Sequence, residues 1–220
     1  MAPVCVFDVN ETLLDLAALD GEFERLFGDS GMRVTWFGQL LQSAMVTTIT
    51  GRYRDFGTVG RAALEMTAAR LGMELSDEDR EAVVGGMTRL PAHHEVPGAL
   101  GRLARGGLRL AALTNSTERV ATAQLEHAGI LGSFEAVLSA DTVRRLKPAP
   151  EPYRMAADRL GVEPSGMLLV AAHAWDVAGA LRAGCRAAFV ARPGKVLDPL
   201  ADRPELVVGD LDELADRLLA

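Results

Sequence analysis

The chain has 220 residues, 49% of them hydrophobic, and a formal net charge of -7. That length accommodates one large core, or one core with a smaller appended unit. The acidic balance, with no cluster of Lys and Arg to form a basic face, argues against a phosphate-backbone binder, so no nucleic-acid partner is expected. No stretch is apolar for long enough to span a bilayer, and no basic segment followed by a long apolar run opens the chain; no membrane partner is expected and the protein should be cytoplasmic. Cys5 and Cys185 lie far apart and suit small core positions, not a disulfide framework or a metal cage.

Val4-Cys5-Val6-Phe7 is a short apolar, partly β-branched run, predicted as a buried strand that ends on the acid Asp8. After Thr12 the pattern turns helical and stays so until Leu108. Helices are predicted over Leu16 to Phe27, stopped by Gly28; over Val34 to Ile49; over Thr58 to Leu71, stopped by Gly72; and from the capping pattern Ser76-Asp77-Glu78-Asp79 to Arg89. Four helices with short links make a compact bundle. Asp15 is expected to cap or hinge, and Asp77, Glu78, Asp79 and Glu81 to form a solvated helix start.

From Glu95 onward strands and helices alternate. Pro97 opens a helix that reaches Arg105, and Leu108 to Leu113 follows as a strand. A helix over Glu118 to Ala128, a strand over Ala136 to Ser139, a helix over Glu151 to Leu160 and a strand over Met167 to Ala171 come next. The chain closes with a helix over Trp175 to Ala183, strands over Ala187 to Val190 and Leu206 to Val208, and a terminal helix. This order implies right-handed crossovers and an α/β fold: a doubly wound parallel sheet, Rossmann-like, with an inserted helical-bundle cap. The expected division is a core of residues 1–13 and 96–220 and a cap of residues 14–95.

The polar residues of interest all follow predicted strands: Asp8 and Thr12 the first, Thr114 and Asn115 the second, Lys147 the third, His173 and Asp176 the fourth. In a parallel sheet those loops share one edge, where ligands bind. Two carboxylates, an ammonium, hydroxyls, an amide and an imidazole converge there, which marks an active site.

Asp8-x-x-x-Thr12-Leu13, Thr114-Asn115, Lys147-Pro148 and Trp175-Asp176, with a helical insertion behind the first strand, resemble the haloacid dehalogenase superfamily over essentially the whole chain. Within it the chain looks most like the type II (L-)2-haloacid dehalogenases, whose pattern Gly51-Arg52-Tyr53-Arg54-Asp55-Phe56 and whose pair Lys147 and Tyr153 it shares. The resemblance implies Asp8 as nucleophile, Thr12 and Thr114 as hydroxyl donors around it, Lys147 as its charge partner, Asp176 holding Lys147, Tyr153 as a substrate-side residue, and a homodimer.

The chemistry separates dehalogenase from phosphatase. A phosphatase of this superfamily carries a second acid two residues after the nucleophile to protonate an alkoxide, and here that position is Asn10, which cannot deliver a proton. A halide leaves without one, so a carboxylate with a cation beside it suffices. The expected course is attack by Asp8 on C2, halide loss, and hydrolysis of the Asp8 ester, with Thr12, Thr114 and Asn115 stabilising the oxyanion and no metal or organic cofactor. Magnesium would be required only if the chain were a small-molecule phosphatase of the same superfamily. A ligand-binding protein that kept the fold and lost turnover is the other alternative.

Two departures from the subgroup stand out. The arginine that receives the halide is replaced by Phe37, with Arg33 one turn upstream as a substitute cation. In the fourth-strand loop Ala171 and His173 replace a serine and an asparagine that position water, and His173 could be the general base for ester cleavage. Asn10, Thr114, Asn115, Tyr153, Phe37 and Trp175 complete the expected substrate-binding set. Trp36 and Met45, near Phe37 at helical spacing, suit a bundle core. His93-His94-Glu95 is expected to be a solvated linker, not a metal cluster.

Overall fold

The computed structural model describes residues 4–220; the first three positions of the expected 1–13 segment lie outside the described residues. Strands β1 (Val4–Phe7), β2 (Arg109–Thr114), β3 (Ala136–Ser139), β4 (Met167–Ala171), β5 (Arg186–Val190) and β6 (Leu206–Val208) form one sheet in the order β3-β2-β1-β4-β5-β6. All pairs are parallel; Phe7 lies opposite Ala112 on one side and Val170 on the other. The inner strands are almost wholly apolar because both faces are covered. The chain winds from β1 outward to β3, then returns past β1 to β4, so the winding reverses between β1 and β4. Asp8 directly follows the first of those strands, and Asp176 lies in the first turn of the helix that follows the second.

Helices α5 (Val96–Arg105), α6 (Glu118–His127) and α9 (Leu211–Leu219) cover one face, packing Leu100, Leu125 and Leu211 into a core with Cys5 and Phe7. On the other face α7 (Pro150–Leu160) and α8 (Ala174–Arg182) bring Tyr153, Ala156 and Ala180 against Val4, Val6 and Leu169. Cys5 and Cys185 are free and buried, as expected of core residues.

Between β1 and β2 the chain forms α1 (Asp20–Phe27), α2 (Met32–Ile49), α3 (Phe56–Arg70) and α4 (Asp77–Gly86). The helix predicted over Leu16 to Phe27 is split: Leu16–Leu19 is a 3-10 turn, capped by Asp15 through the Ala17 amide, before α1 begins. The fourth helix stops early, with a 3-10 turn at Met87–Arg89, because Gly85-Gly86 weakens its last turn. Phe23 and Trp36 pack with ring centres 5.4 Å apart, and the Trp36 Nε1–H donates to the Gly60 carbonyl at 2.9 Å, so Trp36 is interior to the insert.

The capping pattern is realised in full. Ser76 Oγ accepts from the Asp79 amide at 3.1 Å and Asp79 Oδ2 accepts from the Ser76 amide at 3.1 Å. Ser76→Ala is expected to lower the unfolding free energy by about 1 kcal/mol, read as a shift in urea midpoint at unchanged slope.

Candidate active site

Asp8 ends β1 with its side chain in a buried crevice. The Lys147 Nζ donates to Asp8 Oδ1 at 2.9 Å, to Asp176 Oδ2 at 2.6 Å and to the Leu113 carbonyl at 2.9 Å, which uses all three of its protons. The Thr12 hydroxyl donates to Asp8 Oδ2 at 2.7 Å and accepts from the Ala172 amide at 2.9 Å. Burial works to raise the Asp8 carboxyl, but the Lys147 ammonium, His173 and the Thr12 hydroxyl together hold it below its ordinary value. Burial and the like charge of Asp8 lift Asp176 above the ordinary carboxylate value, against the pull of Lys147. Burial would also lower Lys147, yet Asp176 and Asp8 keep it above the ordinary lysine value. The result is an ionised carboxylate beside a fixed cation, shielded from water.

Four expected substrate contacts have other occupations. Tyr153 is wholly buried under β4 and α8, donating to Asp176 Oδ1 at 2.5 Å, and so supports the lysine's partner. Asn115 takes hold of the Lys147 backbone from both sides, accepting from its amide at 2.8 Å and donating to its carbonyl at 3.4 Å. Thr114 Oγ1 accepts from the Ser116 amide at 3.1 Å and so closes its own turn; no hydrogen bond joins it to Asp8 among the described residues. The Asn10 amide is turned toward Ser116 (3.5 Å) and Gln124 (3.0 Å). Gly179 on α8 sits where no Cβ fits, with the Pro148 Cβ and the Tyr153 hydroxyl each 2.6 Å from its ideal position.

Over Asp8 lies a stack of rings. His173 stacks with Trp175, at 5.0 Å, and with Phe37 from α2, at 6.1 Å, so Phe37 does reach the site from the insert. The Trp175 ring is also 6.0 Å from Lys147 Nζ, and its buried Nε1–H has no hydrogen-bond partner among the described residues. His173 Nε2 faces the Asn10 carbonyl at 3.3 Å, Glu11 Oε2 at 3.5 Å and Asp8 Oδ2 at 3.9 Å. Arg33 approaches the same space, 3.8 Å from Glu11 Oε1, but is ion-paired with Asp20 at 2.5 Å.

Glu11 itself was not signalled by any sequence pattern. Its backbone is left-handed, with φ of 62°, a conformation that costs a non-glycine residue on the order of 1–3 kcal/mol. Lys195, from the segment after β5, pairs with its Oε2 at 2.6 Å.

The stretch expected to be a solvated linker is partly buried. His94 is exposed, but Glu95 is buried and pairs with Arg192 at 2.6 Å. Arg192 also donates to the Thr12 carbonyl from Nε at 3.2 Å and from Nη2 at 2.9 Å, so one guanidinium joins the two segments that lead into and out of the insert. Their charges compensate, which is why they can leave water. Among the described residues no group of three His, Cys, Asp or Glu is placed to hold a metal ion, and no helix is long and apolar enough to cross a membrane. A cleft of about 720 Å³ opens between α2, α3, the end of α4 and the start of α6, lined by Trp36, Phe56, Arg61, Thr117 and Asp141. It reaches Ser116 but not Asp8.

A carboxylate at the end of the first strand, a lysine held by a second acid and a helical insert above them define a haloacid dehalogenase-type hydrolase site. The chain belongs to the haloacid dehalogenase-like hydrolases, whose family model matches residues 2–184. It is 31% identical over 207 residues to the (S)-2-haloacid dehalogenase of Pseudomonas sp. (strain YL), covering 93% of this chain and 89% of that protein. To the (S)-2-haloacid dehalogenase of Xanthobacter autotrophicus it is 33% identical over 216 residues, 97% of this chain and 83% of that one. The solved L-2-haloacid dehalogenase from Xanthobacter autotrophicus with chloropropionic acid covalently bound matches with a TM-score of 0.92 at 28% identity, covering 99% of this chain and 98% of the other.

Proposed function

We propose that this hydrolase displaces halide from a small 2-haloalkanoic acid through an Asp8 ester, giving a 2-hydroxy acid, with the helical insert acting as a cap and with no metal or organic cofactor. The observation that carries this reading is the environment of Asp8: an ionised carboxylate fixed by Lys147 and Thr12, with the residue two positions on, Asn10, turned away and unable to protonate an alkoxide. Such a site suits a leaving group that needs no proton. The activities for which the relatives are named agree with it.

In this reading Asp8 attacks C2, the carbon–halogen bond breaks, and Lys147 balances the charge while Asp176 and Tyr153 hold Lys147 in place. His173 then takes a proton from the water that attacks the ester carbonyl carbon, a role Asn10 cannot fill. The unpartnered Trp175 Nε1–H supplies a buried donor for the incoming anion, whether carboxylate or halide. Phe37 closes the space above, where an arginine was expected. The protein acts in the cytoplasm, as a homodimer.

The test is halide release from purified protein with chloro-, bromo- and fluoroacetate and both enantiomers of 2-chloropropionate, with and without EDTA and magnesium, and with Asp8→Asn as blank. Release that survives EDTA and vanishes in the blank supports the reading. Silence with every haloacid, with magnesium-dependent release of phosphate from small phosphate esters, would replace it with the phosphatase.

Trp175→Phe keeps the stack on His173 and removes the donor. It is expected to raise KM for the haloacid about tenfold, the worth of one hydrogen bond to an anion, without lowering the melting temperature.

A further inference from the structure

We infer that Glu11 is a positioning residue for ester cleavage: with the Asn10 carbonyl it fixes the hydrogen of His173 on Nε2, leaving Nδ1 as the ring's basic nitrogen. The inference rests on the dehalogenase reading and on His173 as the base that activates water.

The geometry around Nε2 is one-sided. The Asn10 carbonyl at 3.3 Å, Glu11 Oε2 at 3.5 Å and Asp8 Oδ2 at 3.9 Å are all acceptors, and a bare Nε2 would set its lone pair against three oxygens. A hydrogen there satisfies them, and the other nitrogen of a neutral imidazole then carries the free pair. Phe37 and Trp175 stack on the ring, which resists its turning out of this orientation.

Glu11 reaches this place only because its backbone is left-handed, at φ of 62°. Lys195 pairs with the same Oε2 at 2.6 Å and Arg33 stands 3.8 Å from Oε1, so cations tether both oxygens of the carboxylate. These contacts come from three elements: the first-strand loop, the segment after β5 and the insert.

In the second half-reaction water gives one proton to His173 Nδ1 as its oxygen bonds to the Asp8 carboxyl carbon. The imidazolium so formed keeps its Nε2–H on the Glu11 carboxylate and the Asn10 carbonyl, both of which favour the charge. Collapse of the tetrahedral species breaks the bond between that carbon and the ester oxygen, and the departing alkoxide of the 2-hydroxy acid takes the proton back from Nδ1. Asp8 is left as a carboxylic acid and releases its proton to solvent, so one water is consumed and one acid and one halide are produced.

The experiment is a single-turnover comparison with 2-chloropropionate, measuring halide by rapid quench and the Asp8 ester by intact mass. Glu11→Gln and Glu11→Gly should each release one equivalent of halide at the wild-type rate, while ester cleavage slows roughly tenfold or more and the adduct accumulates. Glu11→Asp, which keeps the charge, should recover part of the cleavage rate. Glu11→Gly relieves the left-handed backbone but also leaves Lys195 without its partner, so melting is measured on both variants, and halide release at the wild-type rate shows that the site is still folded. Ester decay at the wild-type rate in both Glu11→Gln and Glu11→Gly would overturn the inference, as would equal slowing of halide release and ester cleavage. No halide from wild-type protein would overturn the dehalogenase reading itself, and this inference with it.

Discussion

Lys147→Met is expected to abolish halide release and to lower the unfolding free energy by about 3–5 kcal/mol near neutral pH, the usual cost of stranding a buried charge. The lysine's three protons are divided among Asp8, Asp176 and the Leu113 carbonyl, and methionine can serve none of them. Two buried carboxylates then face each other without a cation, and at least one must take a proton. Asp8, kept below its ordinary value chiefly by Lys147 against burial, is no longer a ready nucleophile. The sign of the pH effect follows. In wild type, Lys147 is held above its ordinary value, so its contribution is fully present below pH 10.5 and is lost as pH rises through the folded value. In Lys147→Met the carboxylates are raised instead, so the variant should regain stability as pH falls and the carboxylates are protonated. Adding Asp176→Asn should restore part of the stability at neutral pH and none of the activity. Urea titrations at several pH values and halide assays on both variants check this.

Gly179→Ala is the second large effect. A Cβ at this position would lie 2.6 Å from the Pro148 Cβ, 2.6 Å from the Tyr153 hydroxyl and 2.8 Å from the Pro148 carbonyl oxygen. Two of those atoms belong to the backbone or ring of the residue that follows Lys147, so relief by a side-chain rotation alone is not available. Overpacking of this kind costs about 3 kcal/mol. It also pushes Tyr153 off Asp176 and shifts the segment that presents Lys147, so kcat should fall with little change in KM. The double variant Gly179→Ala with Tyr153→Phe removes one of the three contacts and should melt above the single variant. A single variant as stable and active as wild type would show that the close approach of α8 to the Lys147 segment is not needed.

Much of this site could be found in the sequence because its key groups follow apolar strands of a regular α/β alternation. Asp8, Lys147, His173 and Asp176 needed only the rule that parallel strands deliver their loops to one edge. Position on a loop does not reveal direction, however. Asn115 stands where a substrate ligand would, yet its amide is used on the backbone of Lys147. Thr114 closes its own turn and Tyr153 faces Asp176 from behind the sheet. Glu11 passed unnoticed because nothing in its neighbours announces a left-handed glutamate; only the backbone angle places its carboxylate beside His173. The pairing of Glu95 with Arg192 joins residues far apart in the chain, and no local pattern could have linked them.

That pairing fixes how the insert is joined to the core. Arg192 grips Thr12, whose hydroxyl touches the nucleophile, and Glu95, where the chain comes back from the insert. The two connecting segments are therefore joined to a common point at the carboxyl edge of the sheet, beside the site. They cannot bend one at a time, so an insert that swings clear must drag the segment after β5 along or strip a buried guanidinium of its acceptors. The two ends of the insert are thus tied together by a residue far along the chain from the acid it helps to enclose.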